Sequence, residues 1–210
     1  MKKALVWQRL FGHALVLIDD ALALGNSNLH WTFGGGTVLM LRHQHRLSKD
    51  IDIFVPDPQP LGFFTPRLSS YAEEISGRYV ETAGFVKLFL PEGEIDFVAS
   101  PHLTSNPFEV SEIAGRAVKL ETSAEIIAKK FWHRGDRLTA RDIFDFAAIA
   151  EMEPKALEQA QPFIARHREI MLELLKTHAH PLRLQFEAID FLDYSPSYEH
   201  ASSLLLRHLS

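Results

Sequence analysis

The chain contains no cysteine, which excludes a disulfide framework, a thiolate metal site and a cysteine nucleophile. It also lacks any uninterrupted apolar run near the ~18 residues that span a bilayer. Residues 1–18 are broken by Gln8, Arg9 and His13 and lead to no small-residue cleavage site, so they read as a helix and not as a signal peptide. Low-complexity tracts and fixed-period repeats are missing too. Positive charge is scarce: the net charge is −5, which argues against a broad cationic coat for nucleic acid but leaves room for a local basic groove. What remains is a cytosolic protein with no membrane partner. Its 210 residues, 46% hydrophobic and 23% charged, suit one compact domain or a core with a helical appendage.

Hydrophobic spacing predicts an opening amphipathic helix over residues 4–24, closed by Gly25-Asn26-Ser27-Asn28. The β-prone His30-Trp31-Thr32-Phe33 then runs into Gly34-Gly35-Gly36-Thr37 and the apolar Val38-Leu39-Met40-Leu41, a pattern of strand, glycine turn and helix. Alternation predicts a strand over residues 50–55, with aliphatics on one face and acids on the other, stopped by Pro56 and Pro58. A helix is expected over residues 66–76. Strands follow at 79–82, 85–90 and 94–98, the last two joined by the hairpin turn Pro91-Glu92-Gly93. Beyond Ser123 the pattern is helical, over residues 123–132, 139–150, 154–176 and 181–191. The fold class is therefore α+β, with a mixed core at residues 1–122 and a helical region at residues 123–210.

Asp50 and Asp52, two apart in one strand, should project their carboxylates from the same face about 7 Å apart. Like charges that close invite a bound divalent cation or a shared proton. Upstream, glycine removes the Cβ from the path of a ligand, and a helix that starts at such a turn offers free N–H groups to an anion. Gly35, Gly36 and Thr37 are accordingly candidates to hold a nucleotide's phosphates, with magnesium on the acids. The pairs His43-x-His45 and His178-x-His180 lack further ligands, so zinc is set aside.

The stretch Gly35-Gly36-Thr37-x-Leu39 followed by His45-Arg46-x-Ser48-x-Asp50-Ile51-Asp52-Ile53-Phe54 resembles the first motif of the AbiEii/AbiGii toxin family of nucleotidyltransferases, within the DNA polymerase β-like superfamily. A second resemblance lies in Glu125-Ile126-Ile127-Ala128-x-Lys130 and Arg141-Asp142-Ile143-x-Asp145, similar to the family's later lysine and Arg-Asp-x-x-Asp motifs. The resemblance implies a mixed sheet flanked by helices with a helical C-terminal region. It also implies magnesium on Asp50, Asp52 and a third strand-borne acid, for which Asp96 is the candidate. Lys130 would meet the triphosphate, with Lys129 the neighbouring alternative. Arg46 would contact phosphates, Ser48 would fix its loop, and Asp142 would lie near the nucleotide, an ion pair with Arg134 or Arg137 being the competing role. The implied activity moves a nucleotide from a nucleoside triphosphate to an acceptor hydroxyl. RNA, tRNA first, is the leading acceptor, with the chain as the toxin partner of an antitoxin. A protein or small-molecule acceptor, or a silent nucleotide-binding module, are the alternatives.

Overall fold

The computed structural model describes residues 6–25 and 28–210. Its first unit comprises Ser48–His102, Phe108–Glu121 and the chain up to Val38. The second comprises Leu39–Leu47, Leu103–Pro107 and Thr122–Ser210. The part of the expected opening helix at residues 4 and 5 lies outside the described residues.

The first unit is built on helix α1 (Val6–Ala23) and strands β1 (Thr32–Gly34), β2 (Ile51–Val55), β3 (Tyr79–Glu81), β4 (Phe85–Leu90), β5 (Gly93–Ala99), β6 (Phe108–Ile113) and β7 (Arg116–Glu121). These form one mixed sheet in the order β3-β4-β5-β2-β1-β7-β6. The β1–β7 and β2–β5 pairings are parallel and the rest antiparallel. Period-two alternation does the sorting: Ile51, Ile53, Val55, Val86, Leu88, Ile95 and Phe97 are all fully buried. Helix α1 packs on β2 and β5 through Leu10, Phe11, Ala14, Leu17 and Ile18, with Phe11 stacked on Phe33 at 4.7 Å. A 3-10 turn at Gln59–Phe64 adds Phe64, stacked on Phe97 at 3.9 Å. The helix expected over residues 66–76 is only α3 (Ser70–Ile75), because Ser69 is its N-cap and accepts from Ala72 N–H.

The hairpin of β6 and β7 was not anticipated. Its turn holds Ala114 and Gly115 at φ of 53° and 75°, the left-handed pair that a two-residue hairpin loop requires. Helix α2 (Gly35–His43) contributes residues to both units.

The second unit is helical: α4 (Ser123–Arg134), α5 (Ala140–Met152), α6 (Pro154–Ile164), α7 (Arg168–Thr177), α8 (Ala179–Glu187) and α9 (Tyr198–Leu209). Helix α5 is buried from Asp142 through Ile149 and packs against α6, α8 and α9, the position expected of a helix apolar nearly all round. The expected single helix over residues 154–176 is two, parted by a 3-10 turn at Ala165–His167, and α9 was not foreseen. Among the described residues no helix is long and apolar enough to cross a membrane.

Candidate functional site

In the sheet unit the decisive feature is a register. Strands β2 and β5 run parallel with Asp52 directly opposite Asp96, and β4 places Lys87 opposite Asp96 from the other side. These three residues share the sheet face opposite to the buried aliphatics. Lys87 Nζ lies 2.5 Å from Glu94 and 3.0 Å from Asp96 Oδ2, so one ammonium is shared between two carboxylates. Asp96 Oδ1 is buried and has no hydrogen-bond partner. Burial first, and the charge of Asp52 second, push the Asp96 carboxyl up to about 7 against the pull of Lys87. A carboxylate group with too little positive charge around it, and a bare buried oxygen, fits a divalent cation.

Gly35 explains how close the backbone comes. Its φ is +70°, and a Cβ built there would sit 1.9 Å from Asp52 Oδ2. Position 35 must therefore be glycine for Asp52 to lie where it does. Gly36 follows it as the second residue of α2 and is buried.

Three of the expected residues, Asp50, Thr37 and Ser48, are linked by hydrogen bonds around the entry to β2. Asp50 lies just before β2, not within it, and its Oδ1 accepts the Glu94 N–H at 3.1 Å. The acids that face one another are thus Asp52 and Asp96, while Asp50 fastens the start of β5. Thr37 is fully buried and its Oγ1 donates to the Asp50 carbonyl at 2.6 Å and lies 3.1 Å from Ser48 Oγ. That hydroxyl clamps the segment leading into β2. Ser48 is its side-chain partner there.

The helical unit gathers Arg46, Lys130 and Asp142 around Asp145. The fully buried Asp145 receives Arg46 Nε at 2.6 Å and its terminal nitrogen at 2.8 Å, a two-pronged guanidinium contact, and His45 Nε2 at 2.8 Å. Lys130 Nζ stands 3.1 Å from Asp145 and 3.2 Å from Asp142. Asp142 also takes Arg134 at 2.6 Å and closes a capping box with Thr139 at the start of α5. Burial works to raise the Asp145 carboxyl, but Arg46 and Lys130 overcome it and hold the group well below the usual carboxylate range. Asp142 is lowered in the same way by Lys130 and Arg134. The guanidinium of Arg46 is therefore spent on Asp145. Lys129, the alternative lysine, is buried and lies 3.5 Å from Glu125.

Residues 17–202 match the family model described as Nucleotidyl transferase AbiEii toxin, Type IV TA system. The chain belongs to this family. This AbiEii chain is a nucleotidyltransferase by that membership. Its fold is shared with two Helicobacter pylori structures. One is a putative nucleotidyltransferase, 16% identical, with TM-score 0.51 and coverage of 99% of this chain and 94% of that one. The other is JHP933, 17% identical, with TM-score 0.54 and coverage of 100% and 91%. A search of curated proteins finds no match.

One residue of the AbiEii chain's acid face escaped the sequence reading. Lys87 is the cation that Asp96 has, and its signal was the hairpin itself. With Leu90 opposite Gly93, counting outward places Lys87 opposite Asp96.

Proposed function

We propose that this nucleotidyltransferase moves a nucleoside monophosphate from a nucleoside triphosphate to a hydroxyl of RNA, tRNA first, as the toxin of a toxin–antitoxin pair in the cytosol. The observation that carries the reading is the Asp52–Asp96 register with its bare, buried Asp96 oxygen. Asp52, Asp96 and the remaining oxygen of Asp50 are the groups to hold magnesium. When bound, that ion neutralises charge on the α-phosphate and the departing pyrophosphate.

The chain's own part is positional. The start of α2 at Gly35 and Gly36 offers backbone N–H groups to the triphosphate without a Cβ in the way. The acceptor oxygen attacks the α-phosphorus, the bond to the bridging oxygen breaks, and pyrophosphate leaves with the electron pair. The acceptor proton passes to a neighbouring carboxylate. Lys130 brings positive charge to the triphosphate in this reading, and Asp142 positions it through their 3.2 Å contact. Arg46 acts through Asp145 and not on phosphate directly.

The test is to incubate the chain with each labelled triphosphate, magnesium and total tRNA beside an Asp52→Ala variant. Label on tRNA that the variant fails to deliver supports the reading. Label confined to protein or to a small molecule moves the acceptor, and no transfer with tight triphosphate binding makes the chain a silent module. Co-purification with the product of the adjacent reading frame tests the antitoxin.

A further inference from the structure

The helical unit holds a cavity of about 520 Å³, within the usual range for a small-ligand site. Its wall includes Arg46, Arg134, Arg141, Gln185, Ile189 and Asp190. Three arginines and a single acid give that wall a cationic character. The arginines are not equally committed. Arg46 is spent on Asp145, and Arg134 must share Asp142 with Lys130. Arg141 is exposed and has no ion-pair partner among the described residues. Arg141 therefore presents its guanidinium to whatever enters, beside the half-exposed Arg134 on the same wall, and guanidinium matches phosphate oxygens in geometry as well as charge. Beside them Ile189 and Ala188 offer an apolar patch, and the Gln185 amide can both donate and accept. Cation, flat apolar surface and amide together suit a nucleotide better than a free anion.

We infer that this cavity takes one phosphate-bearing nucleotide unit, and that the acceptor RNA supplies it, not the triphosphate. The inference rests on the transfer reading above for its choice of RNA. In that reading the triphosphate already has the glycine start of α2, which leaves this second, arginine-lined cavity for the acceptor strand. It also answers how a chain of net charge −5 can hold RNA: through a local pocket and not a broad basic face.

Direct binding tests it without requiring transfer. The 210-residue chain carrying Asp52→Asn is titrated with labelled total tRNA and, separately, with each labelled triphosphate, all with magnesium. Adding Arg141→Glu should weaken tRNA binding about tenfold or more and flatten its salt dependence by about one unit of slope, while Arg141→Lys restores most of it. Gln185→Ala should act in the same direction and by less. Triphosphate binding and the thermal melting curve should not move, since Arg141 is exposed and supports no other residue. Weakened triphosphate binding in Arg141→Glu overturns the assignment to the acceptor, and unchanged binding of both ligands overturns the site altogether. If wild-type chain binds tRNA through Arg141 but transfers nothing, the transferase reading falls and this one stands.

Discussion

Two pairs of aspartates occupy sheltered positions in this chain, and they meet opposite conditions. In the sheet unit Asp52 and Asp96 face each other across parallel strands, with Lys87 the cation at hand and half of it given to Glu94. In the helical unit Asp142 and Asp145 are ringed by Arg46, Lys130, Arg134, His45 and Thr139. Burial pushes all buried carboxyls upward, and the local supply of cations decides which way each one ends. Asp96 ends near 7, Asp145 far down. In the first pair the Asp96 carboxyl keeps a buried oxygen without a hydrogen-bond partner. The second has every demand met and serves as a fastening.

Removing Asp145 should break that fastening. Asp145→Ala leaves Arg46 and Lys130 facing one another without their shared counter-ion, and should cost about 3–5 kcal/mol in urea unfolding. A loss below 1 kcal/mol would mean that the helical cluster is not held by its charges. Asp52→Asn should do the reverse: a transfer rate lower by about 100-fold or more, with little change in melting temperature. Equal losses of rate and stability would erase the distinction between the two pairs.

Gly35→Ala sharpens the same contrast on the backbone side. It puts a Cβ at φ +70° and against the Asp52 carboxylate, so it should cost at least about 1–2 kcal/mol and displace Asp52. Retained stability and retained transfer would show that the turn accommodates a side chain.

The smallest effect is a pH dependence. Because the Asp96 carboxyl is raised, the folded chain keeps that proton to higher pH than the unfolded chain. The stability it contributes is full at low pH and is lost as pH climbs from the ordinary carboxylate range toward about 7. Asp96→Asn should therefore melt higher than wild type at pH 8, converge with it only below about pH 4, and lose its advantage when magnesium is added. The gain is partly offset because Lys87 loses one of its carboxylates. Asp145 has the opposite sign, its contribution fading as pH falls below the ordinary carboxylate range. A magnesium-independent difference at pH 8 would argue against the acids as a cation site.

Much of the sheet unit was legible because its signals are local. Alternation across Ile51, Ile53 and Val55 gave β2, the glycine run gave the start of α2, and Asp96 stood out between Ile95 and Phe97 in a run with strand alternation. What escaped depended on distance or on small turn cues. The Arg46 guanidinium meets Asp145, 99 residues away, and nothing near either residue announces the other. The Ala114-Gly115 turn of the β6–β7 hairpin lacks the asparagine or aspartate that usually advertises one. The division of residues 154–176 into α6 and α7 has a cue in Pro162, in the last turn of α6 just before the 3-10 turn at Ala165–His167, and the helical periodicity on both sides masks it. Asp50 keeps its expected spacing from Asp52, and only the point where β2 begins to pair leaves it just outside the strand.

The segment that carries His45 and Arg46 is pinned by backbone hydrogen bonds to the stretch before α9: Leu47 N–H to the Asp190 carbonyl at 2.7 Å, Leu192 N–H to the His45 carbonyl at 3.1 Å, and Asp193 N–H to the Gln44 carbonyl at 2.8 Å. These are among the longest-range pairings of the described residues, and loops of that length are slow to close. During synthesis the sheet can pair fully once Glu121 has emerged, whereas this clasp waits for Asp193. The helical unit is thus completed only after Asp193 has been made, so a nascent AbiEii chain on its ribosome would hold a finished sheet long before it holds a finished helical unit.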